Sequence, residues 1–465
     1  MKSKSRFVVT VVAGLITSAL MMPIVSIANA IGKEAKSQRL PDPIVDQDFR
    51  THSANKVRLG QFLFYDKILS GNKNISCASC HHSMVQSGDG LSLGIGEGGQ
   101  GMGATRDTGA AENAVPDRVP RNAPPIFNLG AHEYVTMFHD GRVAVDPTQP
   151  SGFATPAGDN LPQGFESVLA AQAMFPVASG TEMAGQAGEN SVADASAMND
   201  LSSANGVWAQ LAQRLREIPE YVQLFMQAFS DIKSADDITM VHAANAIAAF
   251  EDTNWRASNT PFDRYLRGDR LAMSESAQRG MRIFYQGDQR GNNCASCHSG
   301  KFLTDHQFHA IAMPQIGPGK GDGADGHEDF GRERVTGLVT DRYKFRTPPL
   351  RNVALSAPYG HDGAYRTLDG ILKHFVDPVD ALNQYDQSQV LMPSRDDLDA
   401  LDFLVMNDSS RVAAIGAAAQ LQPLRLNNRE IQNLLDFLQA LTDPADAAGR
   451  HSVPANVPSG LPVRD

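Results

Sequence analysis

Two identical pentapeptides constrain this chain more than any other feature. Cys77-Ala78-Ser79-Cys80-His81 and Cys294-Ala295-Ser296-Cys297-His298 together hold all four cysteines. C-x-x-C-H is the attachment pattern of haem c: each thiol adds to a vinyl group and the adjacent imidazole becomes the proximal iron ligand. The spacing suits that task because one turn of chain must bring two sulfurs and a ring nitrogen to one porphyrin. A disulfide does not require the following His. A Cys₄ zinc site would use both pairs. A thioredoxin-like redox pair needs a βαβ context that the sequence lacks. Motifs starting at Cys77 and Cys294, 217 positions apart, predict one haem unit in each half of the chain.

The N-terminus bears on the redox compartment. Lys2, Lys4 and Arg6 precede an apolar run from Phe7 to Ile27, and Ala28-Asn29-Ala30 has the small-x-small form of a cleavage site. Residues 1–30 are therefore expected to be a secretion signal. An uncleaved membrane anchor is the competing reading for so long a run. Export would put the protein in the periplasm, where haem c is attached. The net charge is −11, and losing the three basic groups of the signal would take it to about −14. No Lys/Arg run forms a patch for nucleic acid.

The strand signal is weak throughout, so the expected fold is mainly α, built from two cytochrome c-like haem domains with long loops. The expected division is 31–257 for the first haem domain and 258–465 for the second, with the last helix expected to pack on the first domain. Val57 to Leu69 reads as a helix leading into the first motif. Residues 86–125 are Gly-rich and read as loop. Residues 178–206 read as a surface excursion, and Gly317 to Gly331 as a solvated Gly/Asp loop in which Asp322, Asp325 and Asp329 miss the EF-hand order. Ser234 to Asp237 resembles a capping box before a helix with Met240, Ala243, Ile247 and Phe250 on one face. Asn427 or Asn428 should cap a last helix that Asp443-Pro444 stops.

Further blocks carry a resemblance. They are Arg121-Asn122-Ala123-Pro124 with Phe127-Asn128, Phe138-His139-Asp140-Gly141-Arg142, Gln172-Ala173 with Pro176, and Glu182-Met183. In the second half they are Thr260-Pro261-Phe262-Asp263, Arg346-Thr347-Pro348-Pro349-Leu350-Arg351-Asn352, and Ala357-Pro358-Tyr359-Gly360-His361-Asp362-Gly363. From about residue 55 to 442 the chain resembles the bacterial di-haem cytochrome c peroxidases and their MauG-type relatives. The resemblance implies two covalently bound haem c groups, with Cys77, Cys80 and His81 holding a peroxidatic haem. Cys294, Cys297 and His298 would hold an electron-accepting one. It implies hydrogen peroxide as substrate, a small cytochrome or copper protein as electron donor, and it allows a homodimer. Glu182 matches the family's distal acid/base group and Gln172 its pocket partner. Asn122, with the carbonyls of Ser356 and Pro358, matches a calcium site.

Three positions depart from the family pattern. Glu97 stands where many members carry a second His ligand to the first haem, so that haem is expected to be open as isolated. His139 replaces the Trp usually found between the haems. Phe375 occupies the position of the second haem's distal Met or Tyr, which leaves His374 as the neighbouring candidate and Met392 and Met406 as weaker ones. Three functional readings follow: a peroxidase, a MauG-type oxidase of a partner protein, and a non-enzymatic di-haem electron carrier.

Overall fold

The computed structural model describes residues 40–288, 290–448 and 453–464; the expected signal, residues 1–30, lies outside them. The chain is mainly helical, with two small antiparallel sheets. No described helix is long and apolar enough to cross a membrane. In the first half the helices are α1 (Ala54–Tyr65), α2 (Cys77–Cys80), α3 (Val168–Gln172), α4 (Ser191–Ala197), α5 (Val207–Arg216), α6 (Pro219–Ala228) and α7 (Met240–Asn254). Further on come α8 (Pro261–Leu266), α9 (Glu275–Gln286), α10 (Leu368–Val376) and α11 (Asn428–Gln439). Strands β1 (Thr136–Met137), β2 (Val143–Val145) and β3 (Phe153–Ala154) form one meander, and β4 (Phe308–His309) pairs with β5 (Phe345–Arg346).

The helices divide between two apolar cores. The first gathers α1, α3, α5, α6 and α7, and runs to Trp255 and Ala257. The second begins at Phe262 and gathers α9, α10 and α11. Both are organised around the same close helix crossing. On α1, Gly60 lies so near α7 that a Cβ there would meet the Ala246 carbonyl oxygen at 1.8 Å and Phe250 Cβ at 2.9 Å. On α9, Gly280 faces α11 alike, with the Asn433 oxygen at 1.8 Å and Phe437 Cβ at 2.9 Å. Four and five residues after each glycine come a Phe and a Tyr, and the rings repeat. Phe64 and Phe250 stand 5.2 Å apart, and Phe284 and Phe437 5.1 Å. A Phe–Tyr pair follows in each half, at 5.4 Å and 5.2 Å. Each unit then leads into a C-A-S-C-H motif, so the two halves repeat one local design.

The caps explain the helix boundaries. Thr239, not Ser234, caps α7, with His242 Nδ1 accepting from the Thr239 N–H at 3.2 Å. The Ser234–Asp237 box closes a single 3₁₀ turn instead. Asn427 caps α11 through the Arg429 and Glu430 amides, and Glu430 accepts from the Asn427 N–H in return. α11 ends at Gln439, ahead of Asp443, which caps a further short helix, Pro444–Ala447.

Three expectations are corrected by packing. α11 packs on α9 in the second core; contact with the first core comes from the tail beyond it. Val457 is buried there and Ser459 Oγ donates to Asp66 Oδ1 at 2.6 Å. Residues 178–206 are no mere surface excursion, because α4 buries Val192, Ala193 and Ala195. Gly317–Gly331 is a fastened hairpin rather than a solvated loop. Asp322 pairs with Arg334, Asp325 with Arg411 at 2.6 Å, and Asp329 with Arg121 at 2.6 Å. Each acid thus has its own arginine, which removes the reason to gather them on a cation.

Two buried arginines order the long Gly-rich loop. The Arg106 guanidinium donates to the carbonyls of Ile95, Gly96 and Gly101. Arg118 donates to Asp402, Asp399 and the Pro393 carbonyl from the second half. A charge-assisted fork of this kind supplies donors to carbonyls that glycine-rich backbone cannot satisfy by itself.

Candidate haem sites

The two motifs lie in different cores, and no disulfide joins the cysteines. The four thiols therefore do not gather at one shared Cys₄ site, and all four are free. The thiol chemistry also opposes a thioredoxin-like pair, which needs one depressed thiol. Burial pushes Cys77, Cys80 and Cys294 up to about 12.

The imidazoles are arranged alike. His81 Nδ1 donates to the Ser87 carbonyl at 2.9 Å, and His298 Nδ1 to the Leu303 carbonyl at 3.1 Å. That bond fixes the tautomer and leaves Nε2 as the ligand nitrogen; in the second motif the Pro348 carbonyl also acts on the His298 ring. Burial lowers both rings' proton affinity, which keeps them neutral as a ligand must be. Near the second motif, the Arg346 guanidinium donates through Nε to the Phe138 carbonyl, while Nη1 is buried without a partner. A buried cation with an open donor suits the carboxylate of a porphyrin. The Cys–Cys–His donor sets fit a haem in each half, and the orphaned Arg346 nitrogen adds to the fit in the second.

Glu182 sits in a single π turn, Gly180–Ala184, beside the loop that carries Glu97. Contact between the two is close: a Cβ at Gly96 would lie 1.8 Å from the Thr181 carbonyl oxygen. Burial raises the Glu182 carboxyl above its ordinary range, opposed by the positive charges of Arg142 and Lys320. Glu182 also acts electrostatically on the Cys80 thiol, which puts it near the first motif. Gln172 ends α3, one 3₁₀ turn (Pro176–Ala178) ahead of the Glu182 turn. Among the described residues no hydrogen bond joins their side chains. Glu97 is buried and held by Asn72 Nδ2 at 2.8 Å and Asn74 Nδ2 at 2.5 Å.

The junction of the halves is a charge network. Arg121 reaches Asp140 at 2.7 Å and takes Asp329 with two bonds, at 2.6 and 2.8 Å. Burial alone would raise both carboxyls; the guanidinium outweighs it and holds them below the usual range. His139 is half-buried against the Asn122 carbonyl at 3.3 Å, and desolvation, then Arg121, lowers it to about 4. It is a neutral packed ring at this junction. The Asn122 amide donates to the Leu91 and Ser92 carbonyls, and its backbone N–H donates to His361 O. Its nitrogen is thus committed and its side-chain oxygen is the atom left for a cation.

His374, the candidate distal ligand of the second haem, has its ring turned to other partners in this structure. Both its ring nitrogens are engaged, Nδ1 with the Tyr365 hydroxyl and Nε2 with the Ile311 carbonyl, each at 2.8 Å. Burial lowers it to about 4, so it is a satisfied core histidine. Phe375 is the residue that meets His298, edge-on with ring centroids 6.4 Å apart. Sequence reasoning missed His309 and Asp305, whose side chains close on Cys297 to within 4.8 Å. The matched Gly-x-x-x-Phe-Tyr runs at Gly60 and Gly280 were a signal that could have revealed the repeat.

Comparison with known proteins agrees with this arrangement. Residues 54–271 match the family model of di-haem cytochrome c peroxidases. Methylamine utilization protein MauG of Methylorubrum extorquens is 29% identical over 342 residues, covering 73% of each chain. Cytochrome c551 peroxidase of Pseudomonas aeruginosa is 28% identical over 338 residues, 72% of this chain and 76% of that one. Among solved structures, a MauG-like protein associated with microbial copper homeostasis aligns at TM-score 0.56 and 27% identity, over 90% of this chain and 97% of that one. The diheme peroxidase BthA of Burkholderia thailandensis, at 19% identity and TM-score 0.53 over 92% and 96%, shares the fold. Over residues 54–271 the chain carries the match to the di-haem cytochrome c peroxidase family model, and its relatives include proteins named as MauG and as cytochrome c peroxidases.

Proposed function

We propose that this protein is a periplasmic di-haem peroxidase that reduces hydrogen peroxide to water with electrons from a small redox protein. The observation that carries the reading is the repeated C-A-S-C-H unit, each with its His Nδ1 tied to a carbonyl, combined with the buried Glu182 carboxyl near the first motif. Cys77, Cys80 and His81 would hold one haem c, and Cys294, Cys297 and His298 the other, in two cytochrome c-like domains meeting between Ala257 and Phe262. The bound iron would supply the two-electron reduction of the peroxide O–O bond. Overall, H₂O₂ takes two electrons and two protons to give two waters.

The chain's own residues handle the protons. Glu182, ionised, accepts a proton from one peroxide oxygen and returns it to the other as the bond breaks. Gln172 orients the substrate across the pocket. Glu97, tied to two asparagines, belongs to a loop fixed by Arg106 rather than one that must swing aside. The first site is therefore active without prior reduction. The second site passes electrons inward, and its Phe375 is the observation that favours the MauG-type alternative, since no Met ligand occupies that position. Asn122 Oδ1, with the Ser356 and Pro358 carbonyls, would take a calcium ion at the junction.

The test is steady-state peroxide turnover with reduced small cytochrome c, beside a resting-state EPR spectrum. The expected result is turnover of the untreated oxidised enzyme and a high-spin first haem. Glu182→Gln should lower kcat/KM for peroxide by roughly 10²–10⁴-fold. No turnover with any small donor would overturn the peroxidase reading in favour of a MauG-type oxidase, and two six-coordinate low-spin haems in favour of an electron carrier.

A further inference from the structure

The two carbonyls that hold the motif histidines sit on left-handed backbone. Ser87, which accepts from His81 Nδ1, has φ +69°, and Leu303, which accepts from His298 Nδ1, has φ +58°. A residue with a Cβ avoids this region and stays there only where its surroundings hold it. His306, three positions after Leu303, is left-handed too, at +55°. The loop that aims the second histidine therefore needs anchors on both sides of Leu303.

The first loop is anchored within its own half. Ser87 Oγ accepts from the Ile126 N–H at 3.2 Å, and Ser87 N donates to the His82 carbonyl at 3.0 Å. In the second loop, residues 300–306, the second half holds the backbone. Arg351 donates to the Lys301 carbonyl at 3.0 and 2.8 Å, and Thr304 Oγ1 to the Thr347 carbonyl at 2.7 Å. The side chains go the other way. Lys301 Nζ meets Asp48 at 2.6 Å. Phe302 is 1% exposed and belongs to the first core, edge-on to Phe49 at 6.1 Å and to Tyr134 at 5.5 Å. His306 Nε2 donates to Glu133 Oε1 at 3.0 Å, and its ring meets Tyr134 edge-on at 5.0 Å. These partners are fixed in turn: Arg256 lies over the Phe49 ring at 4.4 Å, and Tyr134 N donates to the Ala131 carbonyl at 3.1 Å. Leu303 is thus gripped on both sides by side chains of the first half.

We propose, resting on the haem c reading of the second C-A-S-C-H motif, that the first half sets the iron–histidine bond of the second haem. Asp48, Phe49, Glu133 and Tyr134 are positioning residues: they hold Leu303 left-handed and keep its carbonyl on His298 Nδ1. A hydrogen bond from Nδ1 to a carbonyl raises the basicity of the ligand nitrogen. A more basic imidazole favours ferric iron and lowers the haem potential. The electron-accepting site is therefore tuned by the half it serves, whereas the first site is tuned from within.

The test is a spectroelectrochemical titration of each haem in the holoenzyme, with EPR of the oxidised protein. Phe302→Leu removes the ring contacts to Phe49 and Tyr134. Glu133→Ala, at an exposed position, releases His306 without opening a core. Each should loosen the Leu303 carbonyl and shift the second haem's reduction equilibrium toward ferrous by about tenfold, or about 59 mV for one electron. The second haem's EPR signal should move with it, while the first haem's potential stays in place. Glu133→Gln should keep the wild-type potential, because its amide oxygen still accepts from His306; a through-space effect of the Glu133 charge would shift both Glu133 variants equally and overturn the proposal. Wild-type second-haem potentials and EPR signals in both Phe302→Leu and Glu133→Ala overturn it too, as do equal shifts at the two haems, and all of these leave the haem c reading intact. A wild-type chain with fewer than two attached haems by haemochrome assay overturns the haem c reading, and the proposal with it.

Discussion

Replacing Arg121 by Met tests whether the junction of the two halves is held as described. The substitution keeps most of the side-chain volume and removes the guanidinium. Asp140 keeps Arg142 at 3.2 Å, so the main loss falls on Asp329, which is buried and loses both its arginine bonds. Breaking a buried pair from one side costs about 3–5 kcal/mol. An unfolding entropy of about 2.1 cal/mol/K per residue over roughly 400 residues gives close to 0.85 kcal/mol/K, so Tm should fall by about 4–6 °C. The pH dependence follows from the carboxyls. In the wild type both are depressed, so their stabilisation is present above the unfolded pKa and lost as pH falls through the folded value. In the variant Asp329 is raised by burial instead, so the penalty is largest at high pH and shrinks as the solution acidifies toward the unfolded value. Calorimetry of the holoprotein at pH 7.5 and pH 5 should show the gap to wild type narrowing on acidification. A gap under about 1 °C, or one equal at both pH values, would refute the assignment of Arg121 as the clamp.

Other consequences can be checked alongside. His374→Ala should leave the visible and EPR spectra of the second haem unchanged while lowering stability by about 1–3 kcal/mol, because it strands the Tyr365 hydroxyl and the Ile311 carbonyl. Cys297→Ser should leave one fully attached haem c per chain instead of two by haemochrome assay, with the first haem's spectrum retained. Gly280→Ala should destabilise the second core by about 1–3 kcal/mol, since the clash with the Asn433 backbone outweighs the roughly 1 kcal/mol that alanine gains in helix propensity; chemical denaturation would reveal it.

What the sequence disclosed was whatever is local. The C-A-S-C-H motifs, the Asn427 cap and the apolar stripe of α7 depend on residues a few positions apart, and the structure places them accordingly. Misreadings arose where composition stood in for partners. Gly317–Gly331 is rich in Gly and Asp and looks solvated, yet its acids meet Arg334, Arg411 and Arg121, the last of them 208 positions away. His374 sits one residue from the aligned ligand position, and only the Tyr365 and Ile311 contacts show that its nitrogens are spent. The Ser234 box satisfied the pattern for a helix start but lies one turn too early, because Thr239 and His242 form the competing cap. The Glu182 turn fell within a stretch of small residues, where neither periodicity nor charge marks a pocket.

The tail at Val457 and Ser459 has a consequence in time. Asp66, which receives Ser459, also accepts from the Tyr221 hydroxyl at 2.7 Å, so the last described segment closes a seam opened by residues made near the beginning. A chain that emerges N-terminus first cannot complete its first core until almost all of it has been delivered. Until then the first C-A-S-C-H motif belongs to an unfinished fold, and on the proposed haem c reading the passage of the second half is the interval in which a haem would reach it.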